Sequence, residues 1–278
     1  EYSAWQDSAD YDIGDKIPFQ LKGTVASDYN EYDEYYFAFH DVEEKGLTFD
    51  ENTVEVSVDG TKIASSLYKL KTSNTDKCTF EVVFADLKTI DSVHAGSVIT
   101  VDYKSTLNSN AVLGEKGNVN KAKLEYSNNP NDSQGGKGST PWDNVIVFTY
   151  KVVINKVDGD NDNAPLSGAE FTLRKQLKDG STKDIAVVKN TAGTKFTFSG
   201  LDDGDYVLTE TTTPSGYNTI APITFKVTAA HDIVWTTQKR DDVLTSLSGN
   251  KVEGEITLVA DKKEGCLLYT SDAADEED

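Results

Sequence analysis

Methionine is absent from the 278-residue sequence, cysteine occurs only as Cys78 and Cys266, and histidine only as His40, His94 and His231. The missing methionine implies that Glu1 is not a translational start and that the sequence is a fragment of a longer chain. No signal peptide precedes Glu1, and no apolar run approaches the length a helix needs to span a bilayer. No long stretch keeps a 3.6-residue apolar period, which argues against a helical bundle. Basic residues are few: 27 Lys and Arg stand against 47 Asp and Glu, a formal charge of −20. Such a chain has no basic surplus to meet phosphates, which argues against nucleic acid and anionic lipid as partners and leaves solubility as the role of the charge. The histidines are scattered, without paired spacing or a neighbouring cysteine, so neither a metal site nor a cofactor is expected. There is no Gly-x-Ser-x-Gly elbow. The run Asp158-Gly-Asp160-Asn-Asp162 departs from a calcium loop at its sixth position, Asn163, and its twelfth, Ala169.

What the chain has instead is Thr, Val, Tyr and Phe in short alternating runs broken by clusters of Gly, Asn, Asp and Ser. The expected fold class is all-β, and the length allows about two domains of ordinary size. Residues 129–142 carry the turn chemistry of a long exposed loop. Val145 to Tyr150 then reads as the strand closing a first domain, and the second opens without a long linker. The expected boundaries are residues 1–150 and 151–263, with 264–278 outside both.

One placement is unusual. In the strand Tyr206-Val-Leu208-Thr-Glu210 the alternation puts Glu210 on the side of Tyr206 and Leu208, the apolar side. A lone buried carboxylate costs several kcal/mol or more, so it needs a partner. Val152, Ile154 and Lys156 share a face in the same way, and the two charges answer each other. With Pro165-Leu-Ser-Gly168-Ala169 between them, and Thr211-Thr-Thr-Pro214-Ser-Gly216-Tyr217 following Glu210, this set resembles the B-type repeat domain of Gram-positive surface proteins and pilins. The resemblance implies that Glu210, in the segment called the E-box, promotes a spontaneous amide bond between Lys156 and an Asn or Asp of the last strand. Asp261 stands where that acceptor is expected. Strict alternation groups Asp261 with Thr257 and Val259 rather than with Ile256 and Leu258, so either the former set faces inward or a bulge shifts the phase.

The first half has its own pattern. Asp10-Tyr11-Asp-Ile13-Gly14-Asp15, then Phe37-Ala-Phe39-His40-Asp41 with Gly46-Leu47-Thr48-Phe49, then Tyr126-Ser-Asn128-Asn129-Pro130, follow one another as in the A-type domain of sortase-assembled backbone pilins. That resemblance implies Asp41 as the catalytic carboxylate and Asn128 as the acceptor, Asn129 being turned outward by strand parity. The donor lysine of the family precedes a Trp-containing region, and here only four residues precede Trp5; Lys16 and Lys22 follow it and do not match. The donor is expected upstream of Glu1. At the other end, residues 266–276 resemble the translation of a sequencing-library adaptor, so Cys266 is expected to be non-native and Cys78 the one genuine cysteine.

The chemistry asks for burial. A lysine attacks a carbonyl only as a neutral amine, and desolvation favours the neutral forms of amine and carboxyl alike, so a buried pair can pass its proton between partners. The protonated carboxyl then polarises the acceptor carbonyl and relays a proton to the leaving group, while folding supplies the proximity. Such a protein reacts with itself once and is no enzyme. The two resemblances imply tandem immunoglobulin-like sandwiches, A-type then B-type, in a structural subunit of a pilus on the cell wall, joined to neighbouring subunits by a sortase. The rival expectations are a surface adhesin or tip subunit binding a host glycan or protein, and accessory domains of a secreted carbohydrate-active enzyme. The last would need a carboxylate pair in an open cleft, whereas Asp41 and Glu210 are expected buried and in different domains.

Overall fold

The structure, a computed structural model, describes residues 5–72, 77–114, 116–131, 136–228, 230–236, 239–246 and 253–262. They form twenty-two strands and three short 3-10 turns, at Tyr29–Glu31, Ser65–Leu67 and Leu87–Thr89, with no α-helix among the described residues. The expected all-β class is observed. Contacts divide the chain into two compact units, the first of Glu1–Lys151 with Ser199–Gly204 and Lys226–Gly254, the second of Val152–Phe198, Asp205–Phe225 and Glu255–Asp278.

The first unit has two sheets. One contains β1 (Ser8–Asp10), β3 (Phe37–Glu43), β6 (Lys69–Lys71), β7 (Phe80–Phe84), β9 (Asn118–Ser127), β10 (Lys137–Ser139) and β11 (Asp143–Phe148), ordered β1-β11-β9-β3-β7-β6 with β10 against β9. The other contains β2 (Lys16–Thr24), β4 (Leu47–Val58), β5 (Thr61–Lys62) and β8 (Val98–Leu107), ordered β2-β8-β4-β5. The period-two pattern explains their packing: Ile99, Val101, Tyr103, Ser105 and Leu107 of β8 are all buried on one face. Aromatic rings lock the faces together, Phe49 of β4 stacking on Phe80 of β7 at 4.1 Å. Part of the stretch read as a loop is strand: Lys137, Gly138 and Ser139 fold back on Ser127, Tyr126 and Glu125.

One turn of this unit admits only glycine. A Cβ on Gly46 would lie 2.1 Å from Asn118 Oδ1 and 2.8 Å from the Ala111 backbone. Gly46→Ala is expected to lower the stability of this unit by about 1–3 kcal/mol, read as a lower denaturant midpoint, because the backbone cannot yield as a flexible side chain would.

The second unit takes β12 (Tyr150–Asp158), β13 (Ala164–Pro165), β16 (Val187–Lys189) and β17 (Lys195–Leu201) into one sheet, ordered β13-β12-β17-β16, with β22 (Glu253–Ala260) also paired to β12. Its second sheet is β14 (Glu170–Gln176), β15 (Thr182–Ile185), β18 (Gly204–Thr212) and β19 (Ile223–Val227), ordered β15-β14-β18-β19. A separate hairpin pairs β20 (Ala230–Thr236) with β21 (Lys239–Ser246). Val152 and Ile154 of β12, Phe171 and Leu173 of β14, Phe196 and Phe198 of β17, and Tyr206 and Leu208 of β18 are buried. Lys156 and Glu210 occupy the next inward positions of two of these series.

Candidate functional site

Lys156 and Glu210 meet in the second unit. Lys156 Nζ lies 2.9 Å from Glu210 Oε1, and both side chains are completely excluded from solvent. The contact lacks hydrogen-bond geometry, so the amine and that carboxyl oxygen are an ion pair with no hydrogen-bond partner in the buried core. The second carboxyl oxygen accepts from the backbone N–H of Ile220 at 2.8 Å, which fixes the orientation of Glu210. Phe171 gives the pair an apolar neighbour: it lies directly across from Glu210 beside a register shift that leaves Thr211 of β18 as the extra residue, and its ring centroid is 5.9 Å from Lys156 Nζ. Farther along the same segment, Tyr217 donates to Asp158 Oδ2 at 2.7 Å, and this bond is the main cause that holds the Asp158 carboxyl below its ordinary range.

The last strand answers the question of parity. Leu258 and Ala260 are buried, whereas Thr257, Val259 and Asp261 are exposed, so Asp261 faces away from the Lys156–Glu210 pair. It nevertheless sits at the end of β22 beside β12. Gly159 donates its N–H to Ala260 O, Asn218 donates to Asp261 O, and a Cβ on Gly159 would be 3.5 Å from the Asp261 carboxyl.

In the first unit Asp41 is fully buried on β3, where Tyr103 donates to its Oδ2 at 2.8 Å and Asn120 Nδ2 donates to the same atom at 3.1 Å. Asn120 also donates to the Tyr103 oxygen at 2.5 Å. Two positions along the strand, Glu43 accepts from the Ser105 hydroxyl. Three buried acceptors, Asp41 Oδ1, Glu43 Oε2 and Asn120 Oδ1, have no hydrogen-bond partner. Burial, reinforced by the charge of Glu43, pushes the Asp41 carboxyl well above its usual range against the pull of its two donors. Burial alone raises Glu43 to about 7, with Ser105 opposing. Among the described residues no cation pairs with either carboxyl.

Asn128 is placed elsewhere. It lies beyond the end of β9, exposed, with its backbone N–H bonded to Gly136 O. The register sets Asp41 opposite Ala122, so Asn128 is six residues farther along, roughly 20 Å at the rise of a strand. Asn120 is only two residues from that point on the same face. Strand parity groups Asn128 with Leu124 and Tyr126, but the carboxamide that reaches Asp41 is Asn120, and its signal was the same alternation carried upstream through Leu124 and Ala122. A groove of about 1370 Å³, lined among others by Phe19, Leu21, Tyr103, Asn120 and Trp142, opens onto this cluster. One wall is β2, the end strand of its sheet, which among the described residues pairs only with β8.

Comparison with known proteins gives two family matches along the chain. Residues 13–130 match the family described as Gram-positive pilin backbone subunit 2, Cna-B-like domain, and residues 150–241 match the SpaA family, prealbumin-like fold domain. The trypsin-resistant surface T6 protein of Streptococcus pyogenes serotype M6 is 33% identical over 140 residues, 46% of this chain and 25% of that protein. Its structure, titled the T6 backbone pilin, superposes with a TM-score of 0.58 at 23% identity, covering 82% of this chain and 51% of that one. The group B streptococcus pilus 2b backbone protein gives a TM-score of 0.61 at 20% identity, covering 93% and 96%. The fold is that of solved pilin backbones, and the chain spans about a quarter of the length of the curated relative it matches.

Proposed function

We propose that this chain belongs to a structural subunit of a Gram-positive cell-surface pilus, an A-type domain ahead of a B-type one, each closed by an intramolecular amide bond. The observation that carries the reading is the fully buried Lys156–Glu210 contact. A structural ion pair has better homes at the surface, because desolvating two charges can cost more than their attraction returns. As reactants the same groups gain from burial: the proton passes from Lys156 to Glu210, the neutral amine attacks an acceptor carbonyl, and Glu210 polarises that carbonyl and returns a proton to the leaving group. With Asp261 as acceptor, its side chain turns inward by a one-residue shift at the end of β22, and a C–N bond forms as one water leaves. The bond would join the first and last strands of the unit, a loop closure worth on the order of 4 kcal/mol by analogy with disulfides. Under tension, force would pass through that bond and bypass the chain between.

In the first domain the corresponding groups are Asp41 as the catalytic carboxyl and Asn120, in place of Asn128, as the acceptor. The groove beside β2 is where a donor lysine would reach them. The subunits are joined to one another by a sortase, on the cell wall. The relatives' printed names, a surface protein and pilus backbones, support this setting.

Intact mass of the chain, compared with Glu210→Ala, tests the proposal. The expected result is a loss of one water that disappears in the variant, with a cross-linked peptide containing Lys156 and Asp261. Loss of one ammonia would move the acceptor to an asparagine. An unmodified mass in folded protein overturns the cross-link and leaves an ordinary buried ion pair.

A further inference from the structure

The outer face of the larger sheet in the first unit gathers a second cluster that the cross-linking chemistry does not use. His40 neighbours Asp41 in sequence but points to the opposite face. Its Nδ1 lies 3.0 Å from Glu81 Oε1 and 3.7 Å from Cys78 Sγ, and its Nε2 lies 3.2 Å from Glu125 Oε2. The three atoms Nδ1, Sγ and Oε1 all fall within 4.8 Å of one another. Cys78 is a thiol, not half of a disulfide. His40 and Glu81 are directly paired across β3 and β7, both nearly buried.

We propose that His40 Nδ1, Cys78 Sγ and Glu81 Oε1 form a three-ligand site for a divalent ion of borderline softness, zinc foremost, with a fourth position for water or an incoming ligand. Bond lengths of about 2.0–2.3 Å in a tetrahedral zinc site separate N, O and S donors by roughly 3.3–3.6 Å, which the 3.0 Å and 3.7 Å contacts of His40 Nδ1 bracket. The second contact of His40 fixes the tautomer such a site needs. Glu125 accepts from Nε2–H and leaves the Nδ1 lone pair facing the thiol and Glu81, the carboxylate-histidine-metal arrangement common in metalloproteins. A lone pair aimed at a carboxylate oxygen repels it unless positive charge lies between them. One thiolate and one carboxylate balance the charge of a divalent ion, and the thiol proton leaves on binding. Lys71 Nζ, 3.2 Å from Glu81 Oε2, occupies the other carboxyl oxygen and leaves Oε1 for the metal.

Hydrogen bonds from the ring to Glu81 and Glu125 would explain the two carboxylate contacts without metal, so the test turns on the Cys78 thiol. In a Cys266→Ser background, titration with Co²⁺ is expected to develop a thiolate-to-cobalt charge-transfer band that saturates at one equivalent and is displaced by Zn²⁺. Cys78→Ser should abolish the band. Glu125→Ala should weaken Zn²⁺ binding about 10–100-fold while leaving the band's shape intact, as expected for a positioning residue. Zn²⁺ should also slow alkylation of Cys78 in the otherwise unaltered protein, which needs no further variant to fold. Absence of the band together with unchanged alkylation, or metal binding that persists in Cys78→Ser, overturns the proposal and returns His40 to a ring held between two carboxylates.

Discussion

Glu210→Ala is expected to destabilise the second unit by about 3–5 kcal/mol, even in molecules that carry no amide bond. The reason is the pocket: among the described residues Lys156 Nζ has no hydrogen-bond partner, and the charge that answers it is the Glu210 carboxyl 2.9 Å away. Truncating Glu210 leaves a buried amine with nothing to offset its desolvation. Replacing both members, Lys156→Met with Glu210→Leu, removes the penalty and should recover most of the loss, since well-packed apolar pairs often equal or exceed buried ion pairs. Urea midpoints for the two variants decide the matter. A double variant as unstable as the single one would mean that the pair itself, or the bond it makes, contributes the stability. Mass measured on the same samples separates those two outcomes.

Raising the pH should weaken the first unit. Glu43 is raised by burial to about 7 from an ordinary 4.5, and Asp41 is raised as well. A carboxyl held high in the folded state keeps its proton after the unfolded chain has lost it, so stability is greatest at acid pH and falls as pH climbs through the window between the two values. For Glu43 that window runs from about 4.5 to about 7, and the loss across it is about 3 kcal/mol. Asp41 adds a fall of the same sign that begins near its ordinary 3.8. The urea midpoint of the first unit, compared between pH 4.5 and pH 7.5, should drop, and Glu43→Gln should flatten much of the difference. An amine delivered to Asp41 and Asn120 through the groove would remove the Asp41 share, so the slope also reports whether that site is filled.

The sequence carried the strands well because their burial is periodic. Tyr206, Leu208 and Glu210 on one strand and Val152, Ile154 and Lys156 on another declare their face without any knowledge of partners, and both charged residues lie inside. Registers were not legible in the same way. Parity tells which side Asn128 takes but not how far along β9 the partner strand sits, and the pairing of Asp41 with Ala122 gives the site to Asn120. Asp261 shows the converse: alternation grouped it with Thr257 and Val259, and that set is the exposed one. The His40, Cys78 and Glu81 cluster was invisible because His40 stands 38 residues before Cys78, and the pairing of β3 with β7 is what brings it to Cys78 and Glu81.

The pairing of β12 with β22 sets the order of events in folding. These strands stand at opposite ends of the second unit, so its central sheet cannot be completed from local contacts, and the entropy of closing a long loop comes first. A chain made amino end first presents Lys156 early and β22 last. Until β22 is present the sheet lacks one of its strands and the segment before it stays pliable. The same topology that puts β22 beside β12 therefore acts as a clock, letting the segment set only when its late strand arrives.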